Sequence, residues 1–208
     1  YEVIQQWQDE TEQTHNLLLQ DRLIPVPRLK SLDQPLKRLQ LGASLNGKEL
    51  AEVGKLLTSI KQVIHFFENL AEDEKYFPAL QHWVDRCIHL PEVEKLIHNA
   101  IDEDGSVLST ASSQLGSIRR NQSNTEQQVR NQLNQILKSR ASQLTDTLIT
   151  IRNGRYVVPV KAEYRNQMGG TVHDQSSSGQ TLYMEPQSVV NLNNRLAELK
   201  VAERKEID

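Results

Sequence analysis

Four cationic side chains flank or lie on one predicted hairpin, and their chemistry suits phosphate. Arg152 and Arg155 bracket an Asn-Gly turn, and Lys161 and Arg165 follow it along the chain. Guanidinium groups match the geometry of phosphate oxygens. Such contacts position a nucleic-acid backbone and carry little sequence information. We therefore predict phosphate contacts here; ordinary strand-edge charge, which prevents edge pairing, is the alternative.

A small β-sheet must position these cations. Asn153-Gly154 separates two β-branched runs, which is the strongest short hairpin signal because a type I′ turn needs positive φ at both positions. Pro159 cannot donate a hydrogen bond, so it indicates an edge position or a bulge. A second strand pair is predicted on either side of the SSSG stretch at 176–179. The β-rich segment is predicted to span 148–186.

Long helices are predicted on both sides of this sheet. Apolar residues recur at intervals of three and four within 106–147, which predicts about 40 residues of helix and a length of roughly 60 Å. The pattern over 187–208 supplies an antiparallel partner that would bury the apolar stripe, with the sheet at the far end. A coiled-coil dimer seam is the alternative. Gln122 and Thr125 weaken either seam in its middle.

Residues 1–105 are predicted to form a helical domain. The segment 22–28 is predicted to be extended because its two prolines disfavour helix. Asp33 and Pro35 mark the start of a short helix. Periodic apolar residues predict further helices over 2–21, 46–70, 77–88 and 91–101. The predicted fold class is mainly α, with long antiparallel helices and a small antiparallel β tip.

The charge is unevenly distributed along the chain. Residues 1–105 carry 11 Lys+Arg against 18 Asp+Glu, whereas residues 106–165 carry 9 against 3. A basic segment is the electrostatic footprint of a polyanion partner, and a solvated helix face is the alternative. The cations of the predicted long helix are Arg119, Arg120, Arg130, Lys138 and Arg140.

Two motifs resemble catalytic sequences without meeting their requirements. Gly42 to Lys48 fits G-x-x-x-x-G-K, but Glu49 stands where a phosphate loop needs Ser or Thr, and helix capping by Asn46 is the better interpretation. His173, Asp174 and the serines at 176–178 have the residue types of a hydrolase triad. Because triads are assembled from separated positions, we predict a polar hairpin turn whose backbone N–H groups suit phosphate contact.

Composition limits the remaining classes. Cys87 is the single cysteine, which favours a reducing, cytoplasmic setting and a buried position for its side chain. No apolar run is long enough for a membrane span. The histidines show no metal-ligand spacing, so no metal site is predicted. The chain begins at Tyr1 and stops within a helical pattern, and we expect it to be a piece of a longer protein.

The segment from 148 to 205 resembles the signature region of the second bacterial MutS-like family. The resemblance rests on RNGRYVVPVK, then G-x-VHDQSSSG, then EP followed by NLNN. It implies a core (1–105), lever helices (106–147 and 187–208) and a clamp-like tip (148–186). It further implies a homodimeric ATPase that binds branched or duplex DNA and suppresses homologous recombination, often with a nuclease domain. ATP and Mg would bind in the ATPase domain, which this sequence lacks.

The resemblance implies no catalytic, cofactor-binding or metal-binding residue within this chain. By analogy with the clamp, the predicted nucleic-acid contacts are Arg152, Arg155, Lys161, Arg165 and His173. Second choices are the helix cations named above together with Gln175, Ser176, Ser177 and Ser178. A ribosome-binding arm, since family members are also implicated in splitting collided ribosomes, is one alternative function. A purely structural helical dimerisation element is another.

Overall fold

The computed structural model describes residues 2–72 and 76–208. The chain divides into two compact units, Tyr1–Ala111 and Ser112–Asp208. The described part of the chain contains no helix that is long and apolar enough to cross a membrane.

The first unit is helical, as predicted. Pro78 and Pro91 each begin a helix, where a missing N–H costs nothing. Leu17, Phe67 and Leu70 are buried at its centre. Cys87 is only partly buried, so its predicted burial was wrong. The helices of the described part of this unit are α1 (Glu2–Leu19), α2 (Asp33–Gln40), α3 (Gly47–Glu72), α4 (Pro78–Val84) and α5 (Pro91–Ala100).

The loop that resembles a phosphate-binding motif is a helix cap. The Asn46 side chain accepts a hydrogen bond from the Glu49 N–H at 3.0 Å, and the Glu49 carboxylate accepts one from the Asn46 N–H at 3.0 Å. This reciprocal pair is a capping box at the start of α3. The predicted capping role of Asn46 is confirmed, and Glu49 lies where it would repel a phosphate.

The second unit holds two long helices, one short helix and a small sheet. Its four strands are antiparallel in the order β1-β2-β4-β3. The chain is thus mainly α with a small antiparallel sheet, which confirms the predicted fold class. The elements are α6 (Ser113–Ser139), β1 (Thr150–Arg152), β2 (Arg155–Lys161), α7 (Arg165–Met168), β3 (Thr171–Gln175), β4 (Thr181–Glu185) and α8 (Val190–Ile207).

The first long helix is shorter than predicted. α6 has 27 residues, which corresponds to about 40 Å. It follows Ser112, whose side chain caps the Leu115 N–H, and it ends where Arg140 leaves helical geometry. Leu144, which fits the helical spacing, instead forms a bridge with Val160 of β2. Periodicity alone could not show that the last apolar positions belong to the sheet.

The two helices run antiparallel, as predicted. Ser112 contacts Glu206, whereas Gln122 contacts the carbonyl of Leu199. The sheet, however, does not sit beyond the helix ends. Buried residues of α6, of β2 and β4, and of α8 form one core, so the sheet packs against the side of the C-terminal half of α6. That placement follows from Val129 and Leu133, which are both fully buried.

The first hairpin forms as its sequence indicates. Asn153 has φ 52° and Gly154 has φ 75°, so both turn residues have positive φ. Pro159 lies in β2, which is inside the sheet order and not at its edge. Its carbonyl accepts a hydrogen bond from the Thr145 N–H at 3.0 Å, on the side where β1 has already ended. The missing N–H therefore costs no bond to β4.

Candidate nucleic-acid interface

Arg155 folds back into the second unit. Its Nη2 donates to Glu185 Oε1 at 2.7 Å, its Nε donates to the other carboxylate oxygen, and its Nη1 donates to Asn194 Oδ1 at 2.8 Å. Donation of hydrogen bonds to the Glu185 carboxylate raises the pKa of Arg155. The arginine side chain is 18% exposed and the glutamate side chain 2%. Arg155 therefore does not reach past the sheet end, and its predicted contact with nucleic acid stays a prediction.

Asn193 completes this buried network. Its Nδ2 donates to Glu185 Oε2 at 3.0 Å and to the Tyr156 carbonyl at 3.2 Å, while its Oδ1 accepts from the Tyr156 N–H at 3.3 Å. The network joins β2, β4 and α8. Sequence reasoning missed the roles of Glu185 and Asn193. A signal was available in the sequence: Glu185 in the EP motif and Asn193 in the NLNN motif both interrupt an apolar pattern. A polar residue that is buried needs hydrogen-bond partners, so the two could have been expected to pair.

His173 faces the interior. Its Nε2 lies 3.4 Å from Glu185 Oε2, and the side chain is 20% exposed. The buried Nε2 has no hydrogen-bond partner in the described part of the chain. The register of β3 against β4 shifts between Val172 and Asp174, which turns the intervening histidine inward. Nucleic-acid contact by His173 stays a prediction, and it would need a different side-chain orientation.

Arg152 makes contacts within the second unit but stays partly exposed. Its Nε lies 3.1 Å from Asp174 Oδ2, and its guanidinium stacks 4.2 Å from the centre of the Tyr183 ring. Asn153 Nδ2 donates to the His173 carbonyl at 2.9 Å. The hairpin tip therefore bends over the sheet onto β3. The Arg152 side chain remains 36% exposed.

Three cations from different elements form what we call the basic cluster: Arg140, Lys161 and Arg165. Arg140 Nη1 donates to the Gln167 carbonyl at 3.0 Å, and Gln167 lies in the short helix that Arg165 begins. Lys161 Nζ donates to the Ser142 carbonyl at 2.8 Å, two residues after Arg140. Among the residues described, no carboxylate forms an ion pair with any member of the cluster.

The serine turn lies at the same end of the sheet as Lys161. Lys161 pairs with Thr181, and Gln175 pairs with Leu182 immediately beside the turn. The Ser176 N–H donates to the Thr181 carbonyl at 2.9 Å, and the hydroxyls of Ser176 and Ser178 are 3.3 Å apart. The predicted polar hairpin turn is confirmed. Gln175, Ser177 and Ser178 are exposed, so their hydroxyl and amide groups are accessible.

The cations of α6 do not act as one stripe. Arg119 pairs with Glu203 at 2.7 Å, and Arg120 donates to the Ser117 hydroxyl at 3.0 Å. Arg130 pairs with Glu126 at 3.1 Å and lies 5.3 Å from the centre of the Tyr156 ring. Lys138 is exposed on the last turn of the helix. The pairing with acidic residues reduces the positive potential around Arg119 and Arg130. No group of three His, Cys, Asp or Glu residues that could hold a metal ion occurs in 2–72 or 76–208.

Comparisons with known proteins place the chain among the MutS-like proteins. No protein-family model matches the chain. Proteins called Endonuclease MutS2 from Enterococcus faecalis and Listeria monocytogenes serotype 4a are each 43% identical to it, over 98% and 100% of its length. The one from Ligilactobacillus salivarius is 47% identical over 89%. The chain belongs to the MutS2 family. It spans about a quarter of the length of these relatives, at 26%, 27% and 24%.

Proposed function

We propose that the second unit is the clamp-like part of a MutS2-type protein and contacts the phosphate backbone of duplex or branched DNA, without catalysis of its own. The observation that carries the proposal is the basic cluster. Arg140, at the C-terminal cap of α6, and Lys161 of β2 donate hydrogen bonds to backbone carbonyls and the Met168 thioether. Among the described residues, none of the three cations, Arg165 at the start of α7 included, pairs with a carboxylate. Carbonyl contacts orient these side chains but leave their positive charge uncompensated, which is what a phosphate contact requires.

The hydroxyl groups beside Lys161 support backbone contact. Thr145 and Thr181 have hydroxyls 3.0 Å apart, and the serine turn follows at the same sheet end. Hydroxyls and backbone N–H groups make up much of the contact that proteins form with phosphate oxygens. Together with the basic cluster, they form a surface of mixed donors that matches a phosphate chain rather than a single anion.

The tyrosines of the second unit favour paired over single strands as the partner. Tyr156 is buried, and one face of Tyr183 is covered by Arg152. Tyr164 packs against the core of the unit. Sequence-independent binding of single strands relies on aromatic rings that stack on bases. These rings are already engaged, so we propose binding directed by backbone shape.

The relatives are called endonucleases, and a role in suppressing recombination is part of the same proposal. ATP hydrolysis and strand cleavage would be carried out by parts of the protein outside this chain. The segment described would supply the core and the arm that closes on DNA.

The test compares two double variants of equal charge. Lys161→Gln with Arg165→Gln removes two members of the basic cluster. Arg204→Gln with Lys205→Gln removes two exposed cations from the last turn of α8, at the end of the helix pair that the sheet does not cover. Binding of a labelled four-way DNA junction is measured at several salt concentrations. The first variant should lose affinity, and its salt slope should fall by about 2, because each lost phosphate contact lowers it by about 1.

Equal effects of the two variants would show that only net charge matters and would contradict the proposal. Linear duplex and ribosomes serve as competitors in the same titration. Displacement mainly by ribosomes would move the function to ribosome binding. Absence of binding by the unchanged chain at low salt would favour a structural role.

A further inference from the structure

The seam between α6 and α8 has two parts. Val129, Leu133 and Leu137 belong to the core that α6 shares with the sheet. Toward the other end of α6, Leu115 and Ile118 are also buried, but they are not part of that core. The helix pair is therefore held by a dry core at one end and by a separate set of contacts at the other.

A polar layer separates the two parts. Arg119 Nε donates to Glu203 Oε1 at 2.7 Å, and Gln122 Nε2 donates to Glu203 Oε2 at 2.8 Å and to the Leu199 carbonyl at 3.1 Å. Hydrogen bonds from Arg119 and Gln122 lower the pKa of Glu203. Ser112 Oγ donates to Glu206 Oε1 at 2.7 Å further along. Both oxygens of one carboxylate thus hold α8 against α6.

The two parts differ in how easily they open. Water replaces a hydrogen bond between partly exposed groups at modest net cost. Opening the dry core exposes apolar surface at roughly 25 cal/mol per Å² and has no such compensation. The side chains of Arg119 and Glu203 are 29% and 25% exposed, so water and salt reach them. Segments held by such contacts open independently of the rest of a protein.

We infer that the α6–α8 pair opens from its polar end, with Glu203 as the lock, while the part that carries the sheet stays closed. The opening would release the first half of α6 from the last half of α8 at the level of Gln122. It would expose the buried side chains of Leu115 and Ile118 but none of the core that α6 shares with the sheet. The sheet and its buried network would keep their positions. The helix pair is then a hinged element rather than a rigid rod.

Amide hydrogen exchange of the whole chain tests this inference. Glu203→Gln keeps the shape of the side chain but removes its charge. Glu198→Gln is the matched control, since Glu198 lies on the same helix, has a side chain that is 68% exposed and pairs with Arg195 of the same helix. We expect amides at 117–125 of α6 to exchange about 5- to 10-fold faster in Glu203→Gln, since a charge-assisted hydrogen bond is lost. Amides at 129–137 should be unchanged, and the control should match the unmodified chain.

Salt provides a second measurement that needs no substitution. Raising the ionic strength screens the Arg119–Glu203 pair, so exchange at 117–125 should rise relative to exchange at 129–137. Equal acceleration of both segments would show that the pair opens as one unit and would overturn the inference. So would identical exchange in the two variants, or loss of protection in β2 together with α6. No nucleic acid is present, so the result is independent of the proposed function.

Discussion

Glu185 ties the sheet of the second unit to α8. The carboxylate is 2% exposed and accepts hydrogen bonds from Arg155 and Asn193. A buried charge of this kind is tolerated because its partners compensate for the lost hydration. The value of the pair is therefore positional: it fixes which residues of β2 and β4 face α8.

Glu185→Gln should destabilise the second unit by about 3 kcal/mol, because it leaves the guanidinium of Arg155 largely buried without a counter-charge. Urea denaturation measures the loss. Replacing both partners, with Arg155→Met and Glu185→Leu, should recover most of it, since no charge is then left unpaired. A double variant less stable than Glu185→Gln would contradict this account of the ion pair.

Tyr156 makes stability depend on alkaline pH. Burial and the hydrogen bond to Glu126 raise the pKa of Tyr156. Above about pH 10 the unfolded chain releases the phenolic proton while the folded chain retains it. The free energy of unfolding should therefore fall as the pH rises from about 10 through the raised pKa. Urea denaturation at about pH 8 and about pH 10.5 measures this decrease.

Tyr156→Phe should remove this part of the pH dependence, at a cost of about 1 to 2 kcal/mol at neutral pH for the lost hydrogen bond to a carboxylate. Tyr76→Phe is the control, because that ring is 76% exposed. An unchanged alkaline slope in Tyr156→Phe would show that another group is responsible.

Among the strands and turns, two glycines with positive φ have different surroundings. Gly179 (φ 72°) lies in the serine turn and has open space where a Cβ would stand. Gly170 (φ 104°) precedes β3, and a Cβ there would collide with the carbonyl oxygen of Glu185. The chain can enter β3 beside the end of β4 only because this position lacks a side chain.

Gly179→Ala should cost about 1 kcal/mol of stability, the usual penalty of a left-handed conformation. Gly170→Ala should cost about 3 kcal/mol, since backbone must shift as well. Thermal unfolding compares the two variants directly. Equal losses would mean that the approach of Gly170 to β4 adjusts freely and does not constrain the sheet.

In the molecule as a whole, the two compact units differ in both their core and their charge. One core cluster lies within the first unit and the other within the second. Tyr1–Ala111 carries 11 Lys+Arg against 18 Asp+Glu, and Ser112–Asp208 carries 13 against 9. The second unit thus combines its own core with the excess of positive charge.

Residues 112–208 produced alone should fold with one cooperative transition and bind a labelled DNA junction with the salt slope of the whole chain. Residues 1–111 should not bind it, because their excess of negative charge repels phosphate. Circular dichroism and the same titration check both statements. A folded second unit that does not bind would show that the first unit supplies contacts.

The local structure of this protein follows from residues that are neighbours along the chain. The hairpin at Asn153-Gly154, the capping box at Asn46 and Glu49 and the helix starts at Pro78 and Pro91 depend on neighbouring residues, and all are present. The antiparallel pairing of the two long helices was also predictable, since each has an apolar stripe and the sheet between them reverses the chain.

Contacts between distant parts of the chain decide which cations remain available. Arg155 and Lys161 have the same charge and lie in the same strand. Arg155 pairs with Glu185, 30 residues away, whereas Lys161 donates to the Ser142 carbonyl and, within 2–72 and 76–208, forms no ion pair. The end of α6 was decided in the same way, since Leu144 left the helical pattern to pair with Val160. In both cases the partner is distant in the chain, so the competition between hydration and a buried contact is settled only when the sheet has packed against the helices.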